Sequence, residues 1–168
     1  EKESNKLFYN DTAVAAQSVV PPGIAGHING YVNPYRQFNL EQAKKLLAEA
    51  GYPDGKGLPE LTYETTANTV SRQMAEYFVK SMALIGIKVK VSSNTWPELQ
   101  NKVTTMRAQL FGMAWGADYP DAENFLSLLY CPNKAPGSNG SNYCNPQFDK
   151  QFQDAVVLQD SPERTALY

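Results

Sequence analysis

An acidic residue closely follows an apolar run in the second half of the chain. Residues 110–115 read as a buried strand that ends on Trp115, and Asp118 and Tyr119 follow within four positions, before a proline turn. Open α/β sheets place ligand contacts just beyond the carboxyl ends of their strands. A carboxylate at that position binds a cation through charge-assisted hydrogen bonds. We therefore predict ligand contacts from Trp115, Asp118 and Tyr119.

A basic residue is expected near the same edge. Arg72 follows the strand predicted near residues 61–65 and lies in the first turn of the next helix, where free backbone N–H groups also attract anions. If this strand and the strand at 109–115 are parallel, their carboxyl ends lie at the same edge of the sheet, which we call the rim, and Arg72 and Asp118 both lie there. One cationic and one anionic group on a rim match a zwitterion such as a dipeptide, whose termini lie at most about 7 Å apart.

Each of these residues also has a purely structural interpretation. Aspartates such as Asp118, in a turn before a helix, usually serve only that turn or cap. Arg72 is equally a solvated side chain, and Trp115 is equally part of the core. Asp121 directly precedes a helical run, and we predict that it caps that helix.

Catalytic and metal-binding arrangements find little support in the residue types. His27 is the single histidine, which argues against a His-based triad or a zinc cluster. Asp118 and Asp121 lie three residues apart across a turn, and this spacing does not imply the geometry of a hydrolytic carboxylate pair. The sequence therefore predicts a binding module rather than an enzyme, with no metal and no cofactor.

The elements around these residues predict an α/β fold. Apolar or alternating runs indicate strands near residues 61–65, 87–92 and 109–115, and a helix over 70–85 joins the first two. This order is a βαβ unit with parallel strands, so we expect a mixed sheet flanked by helices. Further helices are predicted over residues 40–50, 95–107, 121–130 and 146–159, the first two of them begun by the capping pairs Asn39–Gln42 and Thr95–Glu98.

Length and composition limit the domain count and the partners. The 168 residues predict one domain, with residues 1–38 as an irregular lead-in and 39–168 as an α/β lobe truncated at its carboxyl end. The net charge of −2 argues against a nucleic-acid partner. The first residues are polar and show no export signal. Residues 161–163 read as the start of a helix, yet the chain stops at Tyr168 within two turns, so we expect a piece of a longer protein.

Five blocks in the chain together resemble one protein family. They are a Trp-x-x-Asp segment at 115–125, a Pro-Pro-Gly at 21–23, a helix and turn at 43–53, a helix-to-strand junction at 84–89, and a Ser-Asn-Tyr and Asn-Pro-x-Phe-Asp pair at 141–149. In their order along the chain they resemble the family 5 extracellular solute-binding proteins, which include the dipeptide, oligopeptide and nickel receptors of bacterial ABC importers. Ala122 stands where that family has a proline.

The resemblance implies a function. The chain looks like the carboxyl-terminal lobe (domain III) of such a receptor, which implies a small peptide as ligand, a membrane permease as partner and a periplasmic or extracellular location, with or without a lipid anchor. It implies that Asp118 binds the ligand's α-amino group and that Arg72 contacts its carboxylate. Met113 stands where some oligopeptide receptors have arginine, which counts against their carboxylate clamp. A receptor for a non-peptide solute such as nickel or a sugar, and a sensory or interaction domain on the same scaffold, remain open alternatives.

Two cysteines are relevant to the cellular compartment in which the protein works. Cys131 and Cys144 lie in a loop rich in proline, asparagine, glycine and serine. Free thiols are the default in a cytosolic protein, whereas a disulfide is favoured in an exported one. Dipeptide-receptor relatives carry cysteines at similar places around the Ser-Asn-Tyr block, so the resemblance implies that Cys131 and Cys144 form a disulfide.

Overall fold

The computed structural model describes residues 2–168, which form two compact units. The first, which we call the sheet unit, contains Gln37–Gly112 and the amino-terminal residues up to Val14. The second, the disulfide unit, contains Ala15–Arg36 and Met113–Tyr168. The grouping of the chain into a single domain stays a prediction.

Three parallel strands form the centre of the sheet unit. They are β1 (Leu61–Thr66), β2 (Val89–Asn94) and β3 (Leu110–Phe111), and β1 lies in the middle of the order β2-β1-β3. Leu61 is opposite Val89 and Tyr63 is opposite Leu110, both in parallel register. The α/β class and the parallel β1–β2 pair are confirmed. Where a mixed sheet was expected, the described strands all run parallel.

The helices of the sheet unit begin at capping residues. Helix α2 (Leu40–Glu49) starts after Asn39, whose side chain accepts a hydrogen bond from the backbone N–H of Gln42 at 3.0 Å. Helix α3 (Thr69–Ala83) connects β1 to β2, and helix α4 (Trp96–Thr104) connects β2 to β3. At the start of α4 the Glu98 carboxylate accepts from the Thr95 backbone N–H at 2.8 Å. These contacts satisfy N–H groups that a helix start otherwise leaves without a partner.

The apolar core of the sheet unit is small. Its buried aliphatic residues come from α3, α4 and the segment after α3: Ala75, Ile85, Leu99 and Val103. Ala75 and Leu99 are fully buried, at 0% exposure. The amphipathic spacing that predicted these helices therefore marks the faces that pack inward.

An additional helix, α1 (Lys2–Tyr9), lies in the stretch that was predicted to be irregular. Its Glu3 carboxylate accepts a hydrogen bond from the Tyr77 hydroxyl of α3 at 3.1 Å, and the rings of Phe8 and Tyr77 meet edge to face at 5.8 Å. A helix of eight residues is marginal by itself. Its contacts are with Tyr77 of α3, about 70 positions away in the chain, so they were not visible in the local sequence.

Strand β3 is much shorter than the predicted strand at 109–115. It ends at Phe111, and residues 112–120 are all exposed. The apolar run was interpreted as buried, but Met113 and Trp115 are each 44% exposed. An apolar run indicates residues that favour burial, but it does not by itself indicate that they pair in a sheet.

The disulfide unit is built on three helices. They are α5 (Ala122–Leu126), α6 (Pro146–Val156) and α7 (Pro162–Leu167). Its core cluster consists of Val20, Ala122, Leu126 and Phe152.

The helix predicted over 121–130 is shorter in the structure and ends at Leu126. Two 3₁₀ turns follow it, Ser127–Leu129 and Cys131–Asn133. The backbone N–H of Cys131 donates to the Asp149 carboxylate at 2.9 Å instead of to a helical carbonyl, and Pro132 has no N–H to donate.

Candidate functional site

The predicted ligand residues Trp115 and Asp118 are joined through one buried side chain. The side-chain oxygen of Asn124 accepts hydrogen bonds from Trp115 Nε1 at 2.8 Å and from the Asp118 backbone N–H at 3.3 Å. Asn124 is 5% exposed, whereas Trp115 is 44% exposed. The structure thus brings Trp115 and Asp118 together and leaves the exposed part of the indole free for contact.

Helix α5 holds Asn124 in place. Asp121 is its N-cap and accepts from the Glu123 backbone N–H at 2.8 Å, as the sequence predicted. Ala122 and Leu126, on either side of Asn124, are buried in the core of the disulfide unit. The short helix is therefore anchored at its start and along its apolar face.

The carboxylate of Asp118 is exposed and has no hydrogen-bond or ion-pair partner within residues 2–168. Tyr119, the next residue, is 44% exposed. A free carboxylate can accept hydrogen bonds from an ammonium group, and exposed aromatic rings in the same segment can cover an apolar part of a ligand.

Asp121 has the opposite environment, although it lies only three positions further on. Its carboxylate receives two hydrogen bonds from Arg164, at 2.6 Å and 3.2 Å. Burial acts to raise the pKa of Asp121, but the hydrogen bonds from Arg164 and from the Glu123 N–H outweigh it and hold this pKa below its ordinary value. The carboxylate of Asp121 is therefore engaged by Arg164 and by the start of α5.

Arg164 is a structural residue that the sequence analysis did not identify. It is 9% exposed, and its guanidinium also donates to Asp160 at 3.0 Å and lies 4.9 Å from the ring centroid of Tyr168. Burial is the main cause that raises the pKa of Tyr168 to about 12. The ion pair with Asp121 spans 43 positions, so no local pattern could reveal it.

Arg72 lies in the first turn of α3, as predicted. The side chain of Asn68 caps this helix by accepting from the Ser71 backbone N–H at 2.8 Å. Arg72 is exposed, and its guanidinium makes no hydrogen bond or ion pair within the part of the chain that the structure describes. Arg72 belongs to the sheet unit and Asp118 to the disulfide unit. Their action on one ligand stays a prediction.

Cys131 and Cys144 form a disulfide. Their Cα atoms lie 4.6 Å apart, within the range of 4.4–6.8 Å that was expected for a bonded pair. A carboxylate oxygen of Asp149 lies within 4.8 Å of both sulfur atoms. Because the two sulfurs are bonded to each other, they do not supply the thiolates that a metal site would need.

The single histidine has a local structural contact. His27 Nδ1 lies 2.8 Å from the Val20 carbonyl oxygen, a hydrogen bond that holds the loop on which both residues lie. Among residues 2–168, no helix combines the length and the apolarity needed to cross a membrane.

A match to a family profile agrees with the resemblance carried by the five sequence blocks. The profile of the "Bacterial extracellular solute-binding proteins, family 5 Middle" matches residues 1–137. The chain belongs to this family. The family resemblance inferred from the five blocks is thereby confirmed.

Similar proteins cover the chain almost completely. Heme-binding protein A of Haemophilus influenzae is 30% identical over 97% of this chain and 30% of its own length. Probable di/tripeptide-binding protein 5 of Pseudomonas aeruginosa is 30% identical over 97% of this chain and 31% of its own length. The structure of the ABC transporter-associated periplasmic binding protein DppA from Helicobacter pylori, in complex with peptide STSA, matches with a TM-score of 0.88 and 32% identity over 99% of this chain and 32% of that chain. The chain thus spans about a third of the length of these proteins.

Proposed function

We propose that this chain is one lobe of the substrate-binding receptor of a bacterial ABC importer, and that the receptor binds short peptides. The observation that carries this proposal is the exposed carboxylate of Asp118, which has no partner within residues 2–168 and follows a Trp115 indole held by a buried hydrogen bond. An unpaired carboxylate is suited to an α-ammonium group. The names of relatives that bind di- and tripeptides support the same ligand class.

The binding chemistry follows from the residue types. The Asp118 carboxylate accepts charge-assisted hydrogen bonds from the ligand's ammonium group, and the rings of Trp115 and Tyr119 cover the apolar part of the ligand. Arg72, near the N–H groups at the start of α3, binds the ligand's carboxylate. Binding requires no catalytic group, so we assign no enzymatic step to this lobe.

The remainder of the receptor follows from the same proposal. A second lobe closes over the ligand by a hinge motion, and the closed receptor delivers it to a membrane permease. The receptor works outside the cytoplasm, in the periplasm or at the cell surface with a lipid anchor. The Cys131–Cys144 disulfide supports an oxidising compartment.

A non-peptide solute is the second candidate. The relative named Heme-binding protein A and Probable di/tripeptide-binding protein 5 are equally similar to this chain, each at 30% identity over 97% of this chain. Exposed aromatic residues such as Trp115 and Tyr119 would also contact a large flat ligand. Shared fold alone does not separate the two ligand classes.

The test is a calorimetric titration of the receptor that contains this chain with a panel of dipeptides, tripeptides, glutathione, hemin and Ni²⁺. We expect binding of peptides with a free amino group and much weaker binding of their N-acetylated forms. Tight binding of hemin with no response to any peptide would favour the second candidate.

Asp118→Asn then tests the site itself. Loss of a charge-assisted bond to a desolvated amine should cost about 1.5–3 kcal/mol of affinity, or roughly 10- to 150-fold in Kd. The control is Asp54→Asn, the same chemical change at an exposed turn residue whose left-handed φ of 50° asparagine also tolerates. N-acetylation should weaken binding to the parent and have little further effect on Asp118→Asn. Equal affinities of parent and Asp118→Asn would refute the role of Asp118.

A further inference from the structure

We infer that Asn124 is a positioning residue for ligand binding. Its buried side-chain oxygen holds the Trp115 indole and the Asp118 backbone at once, so that the exposed ring and the exposed carboxylate are presented to the ligand as one preorganised pair. This inference rests on the proposed function and extends it to a residue that does not itself contact the ligand.

The chemistry of the two neighbours shows which atom of Asn124 faces them. The indole Nε1–H of Trp115 and the backbone N–H of Asp118 are both donors and cannot accept a hydrogen bond. The carbonyl oxygen of Asn124 has two lone pairs and accepts both bonds, at 2.8 Å and 3.3 Å. One acceptor therefore fixes a side chain and a backbone position three residues apart.

The segment that carries Trp115 and Asp118 has little other support. Residues 113–120 form neither helix nor strand, and all of them are exposed. A free segment of this kind loses conformational entropy when it is ordered on a ligand. An anchor that orders the segment beforehand raises affinity by removing that cost.

Asn124 itself is rigidly held. Its backbone N–H donates to the Asp121 carbonyl at 3.2 Å, and its own carbonyl accepts from the Ser127 hydroxyl at 3.0 Å. The side chain is 5% exposed on a helix whose neighbours Ala122 and Leu126 lie in the core. A site residue held by such a support keeps its geometry much better than one held only by a loop.

A purely structural role for Asn124 makes a different prediction. In that case its loss lowers the free energy of unfolding and leaves the indole environment and the ligand affinity of the folded protein unchanged. If Asn124 is a positioning residue, its loss mobilises Trp115 in the folded protein and weakens ligand binding through Asp118.

The first measurement needs no ligand. In this chain, NMR hydrogen exchange should show the indole N–H of Trp115 exchanging about tenfold more slowly than that of Trp96, because hydrogen bonding to a buried group protects against exchange. Trp96 is the internal control, since it is 50% exposed and its Nε1 has no partner within residues 2–168. Equal exchange of the two indoles in the unaltered chain would overturn the inference, whether or not any variant folds.

The second measurement uses matched variants in a Trp96→Phe background, which leaves Trp115 as the single tryptophan. Asn124→Leu keeps the branched arrangement of heavy atoms and removes the acceptor, and it should increase acrylamide quenching and lower the fluorescence anisotropy of Trp115. Asn124→Asp keeps an acceptor oxygen and should restore the Trp115 signals toward those of the parent. Urea titrations define conditions in which every variant is folded, and unchanged Trp115 signals in folded Asn124→Leu would overturn the inference.

The third measurement connects Asn124 to the ligand in the receptor that contains this chain. Asn124→Leu should weaken binding of the best peptide by about tenfold. Asp118→Asn should cost much less in the Asn124→Leu background than alone, since residues that act as a unit are not additive. Full additivity, or unchanged affinity of Asn124→Leu, would overturn the inference. If the unaltered receptor binds no peptide, the proposed function fails, and the two indole measurements decide the position of Trp115 independently.

Discussion

Two aspartates three positions apart differ in whether their carboxylates have partners in the protein. Asp121 caps α5 and is paired with Arg164 at 2.6 Å, so its charge is fully used within the protein. Asp118 uses only its backbone N–H and leaves its carboxylate without a partner in residues 2–168. An unused charge next to a fixed aromatic side chain is a stronger sign of a ligand contact than an acidic residue alone.

A second charged cluster lies inside the sheet unit and is structural. Glu64 is 5% exposed, and one of its carboxylate oxygens accepts from Lys102 Nζ and from Asn94 Nδ2, both at 2.7 Å. Burial acts to raise the pKa of Glu64, but hydrogen bonds from Lys102, Asn94 and Ser92 outweigh it and lower this pKa. The cluster links β1, β2 and α4.

Lys102→Met should therefore destabilise the chain. It removes a bond to a buried carboxylate and leaves that charge with fewer partners, which costs about 2 kcal/mol. Urea unfolding at neutral pH measures the loss. Lys90→Met is the matched control, because Lys90 is exposed on β2 and should change stability very little. If both variants unfold at the same urea concentration, the Glu64–Lys102 pair contributes nothing to stability.

At the scale of the elements, two helices end at glycines with different surroundings. Gly51 follows α2 and Gly86 follows α3, with left-handed φ angles of 92° and 84°. A Cβ on Gly51 would meet nothing within 4 Å, whereas a Cβ on Gly86 would lie 2.1 Å from the Asp54 carbonyl oxygen. The chain passes so close at Gly86 that only glycine fits without movement of the backbone.

Substitution by alanine should separate these two effects. Gly51→Ala carries the left-handed penalty alone and should cost about 1 kcal/mol. Gly86→Ala adds a backbone clash, and its total cost should be roughly 3 kcal/mol. Thermal and urea unfolding of the two variants check the difference. Similar losses in both would show that the turn at Asp54 moves away without cost.

Arg164 of α7 forms ion pairs with Asp121 and Glu123 at the start of α5. Arg164 is buried against Asp121, and the folded pKa of Asp121 lies below its unfolded value of about 3.9. The contribution of this carboxylate to the free energy of unfolding is fully present above the unfolded pKa. It is lost as the pH falls through the folded pKa.

Asp121→Ser and Asp121→Ala should separate the ion pair from the cap. Serine keeps the N-cap and loses the pair, which should cost about 2 kcal/mol at pH 7 and weaken the dependence of stability on pH below about 4. Alanine loses the cap as well and should cost about 1 kcal/mol more. Urea unfolding between about pH 3 and pH 7 provides the measurement. An acid dependence that survives unchanged in Asp121→Ser would assign it to other carboxylates, Glu64 among them.

At the scale of the whole molecule, the chain carries one side of a proposed cleft. It spans about a third of the length of its relatives, and its predicted ligand residues Trp115, Asp118 and Tyr119 are exposed. Ligand pockets bury most of the surface of a small ligand, which a single exposed face does not achieve.

This chain alone should therefore bind peptides much more weakly than the receptor that contains it. Calorimetry with the same peptide on both proteins measures the difference, and we expect at least about a hundredfold, since the contacts of the second lobe are missing. The Asp118→Asn variant of the isolated chain should show little further loss. Micromolar peptide binding by the isolated 168 residues would contradict the two-lobe proposal.

The local sequence determined the regular parts of the protein. The alternation at β1 and β2, the helix length between them and the capping residues Asn39, Thr95 and Asp121 predicted elements that the structure confirms. These features depend on side chains within a few positions of each other, and such interactions are encoded locally. The family resemblance, which rests on five ordered blocks, was also readable from the sequence and is confirmed by the match over residues 1–137.

The tertiary structure decided which groups remain available. It shortened the strand predicted at 109–115 to two residues, because an apolar run does not reveal whether it is paired or exposed. It added the Arg164–Asp121 pair across 43 positions and the Asn124 anchor of Trp115 across nine. Contacts of this kind depend on how helices pack, and no pattern within one segment specifies them. The sequence thus identified Asp118 as a candidate, and only the packing of α5 showed that its backbone is held while its carboxylate is left exposed.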